Sequence, residues 1–198
     1  MPEPEISHSK SQLRERLRAT RMLLGAAERA RLDEALRAAL LEGLRIVEAT
    51  TVALFWPFDG EPDLVPAMHD LLHEGVTLAL PVLEGNGEPG LVLRRWHAQA
   101  EMVNNHFGIP EPVFEPRIEV RALDVCCVPL VAWDPCGNRL GMGAGYYDRL
   151  LGPLRDQARP LRMGVGYALQ QVEDLPAEAW DVPLHGVVTD HGWKTWAA

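Results

Sequence analysis

Three alternating glycines stand in the segment Arg139-Leu140-Gly141-Met142-Gly143-Ala144-Gly145-Tyr146-Tyr147-Asp148, with a cation before them and two phenols and a carboxyl after them. Glycine at every second position lets a chain turn tightly and aim successive N–H groups at an anion, for which phosphate is the natural guest. Arg139 can add a bidentate fork to phosphate oxygens. Asp148 has two readings, a magnesium ligand or a first-turn acid that balances a helix dipole. Tyr146 and Tyr147 can stack on or hydrogen-bond a flat ligand, or simply pack. The dinucleotide fingerprint G-x-G-x-x-G is not matched, because Tyr146 stands at its third glycine, and no Gly-Lys-Ser/Thr of a P-loop follows. Taken alone, the loop is equally well explained as a flexible strand-to-helix turn.

The elements around it supply context. Asp124 to Val131 reads as a buried strand that feeds the loop, and a helix is expected from Tyr146 onward. Cys126 and Cys127 are then small core residues of that strand, while Cys136 falls in a turn; three cysteines at this spacing make neither a disulfide framework nor a C-x-x-C zinc pattern. Upstream, Ser9-Lys-Ser-Gln12 has capping-box spacing, and Leu13, Leu17 and Leu24 recur on one face, so a first helix is expected over Lys10 to Leu24. Lys10, Arg14, Arg18 and Arg21 fall within a stripe of about 80° beside the leucines. Periodicity favours a solvated edge of snorkelling side chains for that stripe. A second helix is expected over Ala27 to Val47, a strand over Thr51 to Phe55, a turn-rich loop Trp56 to Asp63, a helix over Asp63 to His73 and a strand over Val76 to Leu80. Leu91 to Trp96, Arg162 to Ala168 and Gly186 to Thr189 complete the expected strands, and Glu84 to Gly90 and Phe107 to Pro116 the surface loops. Strands that alternate with helices imply a mostly parallel α/β sheet, in one domain over residues 1–198, with ligands at the strand carboxyl ends.

Composition sets the outer bounds. The chain has 198 residues, 47% hydrophobic and 24% charged, with a formal net charge of −9, so a surface that holds nucleic acid or anionic lipid by bulk attraction is not expected. Residues 1–48 carry nine positive and eight negative side chains, and Lys10 to Arg21 alone hold a local excess of +4. No apolar run reaches the roughly 18 residues that span a bilayer, and the polar start lacks a secretion signal. A cytoplasmic monomer is the expectation. The other histidines, His69 and His73 included, show no metal-ligand spacing.

The glycine segment, preceded by Val128-Pro129 and Trp133-Asp134, resembles the signature of the 5-formyltetrahydrofolate cyclo-ligase family, also called methenyltetrahydrofolate synthetases. Lys10-x-x-x-Arg14, Gly60-Glu61-Pro-Asp63, Phe107-Gly-Ile-Pro-Glu-Pro112 and Trp180-Asp-Val-Pro with Val187-Val-Thr189 agree in order along almost the whole chain. The resemblance implies a three-layer, mostly parallel α/β fold like that of sugar-phosphate isomerases and CoA-transferases. It also implies Mg²⁺- and ATP-dependent closure of 5-formyltetrahydrofolate, free or polyglutamylated, to 5,10-methenyltetrahydrofolate with release of ADP and phosphate. By the same resemblance, Lys10 and Arg14 hold phosphates, which reverses the solvated-edge reading, and the excess between Lys10 and Arg21 becomes an anion entrance. Arg139, Leu140 and the Gly141 to Tyr147 backbone complete the ATP cradle, Asp148 binds Mg²⁺, and Trp56, Glu61, Met142 and Tyr146 contact folate. Lys10, Arg139 and Tyr146 would carry the catalytic step.

Three positions depart from the family's pattern. Ala144 replaces a glycine or lysine, Met142 supplies no charge where some members have arginine, and His185 stands where a carboxyl-terminal aspartate assists the metal. Those departures keep a rival in view, a non-catalytic folate-binding or regulatory protein on the same fold. A sugar-phosphate or CoA-ester enzyme would explain the glycines but not Glu61 and the double tyrosine together.

Overall fold

The computed structural model describes the backbone of residues 4–84 and 90–196 and, within it, side chains from Lys10 onward. Two helices lead, α1 over Pro4–Met22 and α2 over Ala26–Ile46. Helical backbone runs through Ser9, so the capping box expected there is not the start of α1. Strand β1 (Thr51–Ala53) follows, then α3 (Val65–His73) and β2 (Thr77–Glu84). Next come β3 (Gly90–Trp96), β4 (Val103–Asn104), β5 (Pro110–Glu111), β6 (Val125–Pro129), β7 (Ala132–Trp133) and β8 (Arg139–Leu140). The chain closes with α4 (Tyr146–Leu151), β9 (Leu161–Val165), β10 (Gly186–Thr189) and β11 (Gly192–Thr195).

One seven-stranded sheet is ordered β11-β10-β9-β6-β1-β2-β3. Its five inner strands are parallel, and the edge strands β3 and β11 are antiparallel to their neighbours. Inner strands read as apolar runs because both faces are covered. Val52 and Leu54, Leu78 and Leu80, Val125 and Cys127 face the core under α2 and α3, while Ala53, Ala79, Cys126 and Val128 face the opposite core with Leu151 of α4. Cys126 and Cys127 are thus buried on opposite faces, and Cys136 is exposed.

The strand order decides where a ligand fits. From β1 the chain moves outward to β2 and β3, then returns to β6 on the other side of β1. Loops that leave the carboxyl ends of β1 and β6 therefore diverge, and an open α/β sheet binds ligands in the crevice this leaves. Several expectations change in detail. The strand expected over Val76 to Leu80 runs on to Glu84 as β2 and pairs antiparallel with β3 from Leu78↔Trp96 to Glu84↔Gly90, while residues 85–89 of the expected loop lie outside the described residues. Part of the expected Phe107 to Pro116 loop pairs as β5 with β4. Strands β4 and β11 and the β7–β8 hairpin were not expected at all, the hairpin being built on the fully buried Asp134. Its Oδ1 accepts the N–H groups of Cys136 (2.9 Å) and Asn138 (3.0 Å), and its Oδ2 accepts Asn138 Nδ2 (2.8 Å) and the Leu175 N–H (3.0 Å). Leu17 of α1, with Leu13 beside it, packs on Ala132 and Leu140 of that hairpin.

Candidate functional site

A cavity of about 450 Å³ occupies the crevice. It is lined by Lys10 and Arg14 of α1, Trp56 and Glu61 beyond β1, the whole run Arg139 to Asp148, and Glu178 and Asp181 of the segment before β10. The fourteen residues expected to bind ATP, folate or Mg²⁺ all line it.

The glycine loop takes the shape its spacing suggests at two of three positions. Gly143 (φ +105°) and Gly145 (φ +66°) are left-handed, whereas Gly141 is not. Gly145 is the residue before α4, a helix of only six residues, so its dipole is that of fewer than two turns rather than a full helix. The amides of Met142, Gly143 and Ala144 meet no acceptor among the described residues and are available to an anion. Ala144 has ordinary backbone geometry. Losing glycine there therefore takes no conformation from the loop.

Cations approach the loop from α1. Arg14 Nε donates to Gly141 O at 2.8 Å, and its guanidinium lies over Gly143, where an added Cβ would sit 3.6 Å from Cζ. Lys10 Nζ is held by Glu178 Oε1 (3.2 Å) and Asp181 Oδ2 (3.4 Å). The other two members of the stripe do not line the cavity. Arg18 forks onto Asp59 through Nε (2.7 Å) and Nη2 (3.1 Å), and buried Arg21 donates to Asp59 O (2.7 Å), Asp59 Oδ2 (3.2 Å) and Leu130 O (3.3 Å). The expected entrance thus narrows to Lys10 and Arg14, while Arg18 and Arg21 anchor the loop that carries Glu61.

That loop is a tight turn. Asp59 (φ +52°) and Gly60 (φ +74°) are both left-handed, as the central pair of a type I′ turn requires, and Glu61 N donates to Phe58 O at 3.0 Å. Glu61 Oε2 accepts the Phe58 N–H at 3.1 Å. Desolvation by burial pushes the Glu61 carboxyl up to about 7, against the opposing pull of the Arg21 guanidinium and the Phe58 N–H. Arg18 and then Arg21 hold Asp59 below its ordinary value. Trp56 stands beside Glu61 with its ring edge-on to Trp96, 6.4 Å between centroids.

Arg139 differs from its expected role. Its Nη2 donates to Asp148 Oδ1 at 2.6 Å, its Nη1 donates to Val182 O, and its side chain is 5% exposed. A phosphate fork is therefore already filled by protein, and Arg139 holds Asp148 in place. Asp148 Oδ1 also accepts the Val182 N–H at 3.0 Å, which leaves Oδ2 without a donor among the described residues. No group of three His, Cys, Asp or Glu side chains gathers as a metal cage among the described residues. A single carboxylate oxygen nonetheless suits Mg²⁺, which keeps most of its six ligands as phosphate and water oxygens. His185 is not at the cavity. Arg162 holds it, with Nη2 2.7 Å from its Nε2 and the Arg162 N–H 3.1 Å from its Nδ1, and burial lowers its pKa. The carboxyl-terminal acids that do line the cavity are Glu178 and Asp181, which motif reading assigned no role. They lie 168 and 171 residues from Lys10, beyond any local pattern. Tyr146 lies under the Arg149 guanidinium at 5.4 Å, and burial raises the Tyr147 hydroxyl well above its ordinary range.

The sequence pattern described as the 5-formyltetrahydrofolate cyclo-ligase family matches residues 6–190. A 5-formyltetrahydrofolate cyclo-ligase of Escherichia coli (strain K12) is 43% identical over 155 residues, covering 76% of this chain and 82% of that one. The Haemophilus influenzae protein of the same name is 33% identical over 184 residues, covering 92% and 98%. Among solved structures, the 5,10-methenyltetrahydrofolate synthetase of Aquifex aeolicus superposes with a TM-score of 0.81 at 38% identity, over 94% of this chain and 92% of the other.

Proposed function

Because the chain belongs to the 5-formyltetrahydrofolate cyclo-ligase family, we propose that this cavity binds Mg-ATP against the glycine loop and α1, and 5-formyltetrahydrofolate against Trp56 and Glu61. The reaction is the ATP-dependent conversion of 5-formyltetrahydrofolate to 5,10-methenyltetrahydrofolate. One observation carries the assignment of the site: a row of amides without acceptors among the described residues shares a single cavity with Arg14, Lys10, a half-buried carboxyl and an indole.

The chemistry explains why such residues suffice. A formamide carbon is a poor electrophile and its oxygen a poor leaving group. The formyl oxygen attacks the γ-phosphorus and ADP departs; N10 then adds to the formyl carbon, gives up its proton, and phosphate leaves with the former formyl oxygen. In-line phosphoryl transfer of this kind calls for positioning and charge neutralisation more than for a side-chain nucleophile. The loop amides and Arg14 take the phosphates, and Lys10 joins them as its two carboxylates yield it. Arg139 acts as a positioning residue, fixing Asp148 through Oδ1 and leaving Oδ2 without a donor among the described residues. Magnesium, when bound there, supplies charge neutralisation on the phosphate oxygens. Glu61 orients the formyl group or the ring that bears it, with Trp56, Met142 and Tyr146 as walls. The ordinary backbone at Ala144 removes one ground for a non-catalytic reading.

The test is direct. Purified protein with 5-formyltetrahydrofolate, Mg²⁺ and ATP should develop the near-ultraviolet band of the methenyl product, and omission of ATP should abolish it. Lys10→Ala should raise the KM for ATP about tenfold, the scale of one charge-assisted contact. Folate binding without any ATP-dependent band would defeat the enzymatic reading, and an unchanged KM in Lys10→Ala would remove Lys10 from the phosphate site.

A further inference from the structure

The cavity also contains a buried acid that neither the nucleotide nor the formyl group accounts for. Glu111 of β5 is 5% exposed and lines the cavity. Both hydrogen bonds it receives from the described residues fall on one oxygen: Oε1 accepts the Leu83 N–H at 3.0 Å and Asn105 Nδ2 at 2.7 Å. Oε2 receives none from the described residues, and no cation among them pairs with the group. A carboxylate oxygen has two acceptor sites, and those of Oε2 are not taken up by the described residues. An acceptor kept open beside a cavity is therefore matched to a donor that the ligand brings.

The surroundings indicate what kind of donor. Leu83, Phe107 and Ile109 give this part of the cavity apolar walls suited to a flat ring. Asn105 is itself fixed, its Oδ1 accepting the N–H groups of Phe107 (2.9 Å) and Ile109 (3.1 Å), so one residue shapes the wall and orients Glu111. We propose that Glu111 recognises the donor edge of the reduced pterin, its Oε2 accepting the neighbouring N–H groups of the 2-amino substituent and N3. This rests on the folate reading above. The pterin's N5 carries the formyl group that meets phosphate, and the adjacent C6 carries the tail that leads out. Its opposite end presents two N–H donors side by side. Lys10 and Arg14 serve the anionic reactant, while Glu111, paired with no cation among the described residues, serves the donor edge of the other.

Glu111→Gln provides the test. The amide keeps a carbonyl oxygen for the Leu83 and Asn105 donors and places N–H groups where Oε2 was, so donor faces donor. Affinity for 5-formyltetrahydrofolate should fall about 10- to 100-fold, the range for a hydrogen bond to a charged group, with ATP affinity and melting temperature unchanged. A folate whose 2-amino group is replaced by methyl should bind the wild type with a comparable loss, and the two losses should not add. Glu111→Asp, which only retracts the acceptor, should weaken the natural folate more than the methyl analogue, which keeps only the N3–H donor. Natural-folate affinity within threefold of wild type in Glu111→Gln, additive losses, or equal losses for both ligands in Glu111→Asp would overturn the assignment. A wild type that turns over folate while Glu111→Gln is unaffected defeats Glu111 alone, whereas a wild type that binds no folate defeats the reading beneath it.

Discussion

Glu61 holds a proton more tightly in the folded chain than an ordinary glutamate does, and that has a measurable consequence without any ligand. Its carboxyl is raised from 4.5 to about 7 by burial. Below about pH 4.5 the group is protonated folded and unfolded, and it costs nothing. Between 4.5 and 7 the unfolded chain gives up the proton first, so stability is lost as pH rises; above 7 the full difference, on the order of 3 kcal/mol, is in place. Glu61→Gln keeps an acceptor for the Phe58 N–H and cannot ionise. In urea unfolding of the ligand-free protein, the variant should gain on the wild type steadily from pH 4.5 to 8 and show no further gain above that. A constant difference between the two across the range would mean that Glu61 is not desolvated in solution. The same group, charged at the expense of stability, is well placed to welcome a hydrogen-bond donor from substrate.

Loop geometry separates positions that the glycine pattern makes look alike. Gly143 sits at φ +105° beneath the Arg14 guanidinium, whereas Ala144 next to it has a conformation open to any residue. Forcing a side chain into that left-handed backbone costs about 1–3 kcal/mol. Gly143→Ala should therefore raise the KM for ATP about tenfold or more, and Ala144→Gly should leave it within about threefold of wild type, where each 1.4 kcal/mol is a factor of about ten. Equal effects at the two positions would refute the loop conformation. Such distinctions depend on φ, which a run of alternating glycines does not reveal. Inner strands were readable because two-sided burial writes them as apolar runs such as Val125 to Val128. The edge strand Gly192–Thr195 was not, since a polar, glycine-led tetrapeptide has no such run and is held by pairing with β10 and by Trp193, whose ring lies against Gly43 of α2. The Asp134 hairpin escaped notice for a related reason, its two-residue strands being fixed by side-chain hydrogen bonds instead of periodicity. At the site, the glycine motif and the Glu61 loop stood out as local patterns. The pairing of Lys10 with Glu178 and Asp181 did not, because only the completed sheet brings them together.

Across the whole molecule, a formal charge of −9 must accommodate two anionic reactants. The amino-terminal cations do not act as a free positive surface. Arg18 and Arg21 are neutralised by Asp59 and tie α1 to the loop after β1, while Lys10 is neutralised by Glu178 and Asp181. Arg14 alone of the four meets a carbonyl and no carboxylate among the described residues. It stands at the seam between α1 and the glycine loop, so phosphates bound there add to the contacts by which α1 already meets the rest of the fold, Leu17 on the β7–β8 hairpin and Arg21 on Leu130 O. Binding to the folded state alone stabilises by about 2.7 kcal/mol at a hundredfold excess over Kd, and for a chain of this size each kcal/mol moves Tm by about 2–4 °C. Mg-ATP should accordingly raise Tm by about 5–10 °C. Adenosine should give little of that shift, chelation of the magnesium should reduce it, and Arg14→Ala should lose most of it while melting near the wild type when no ligand is present. A shift with adenosine as large as that with Mg-ATP would show that the phosphates do not bridge the seam, and that the free charge of Arg14 serves some other contact.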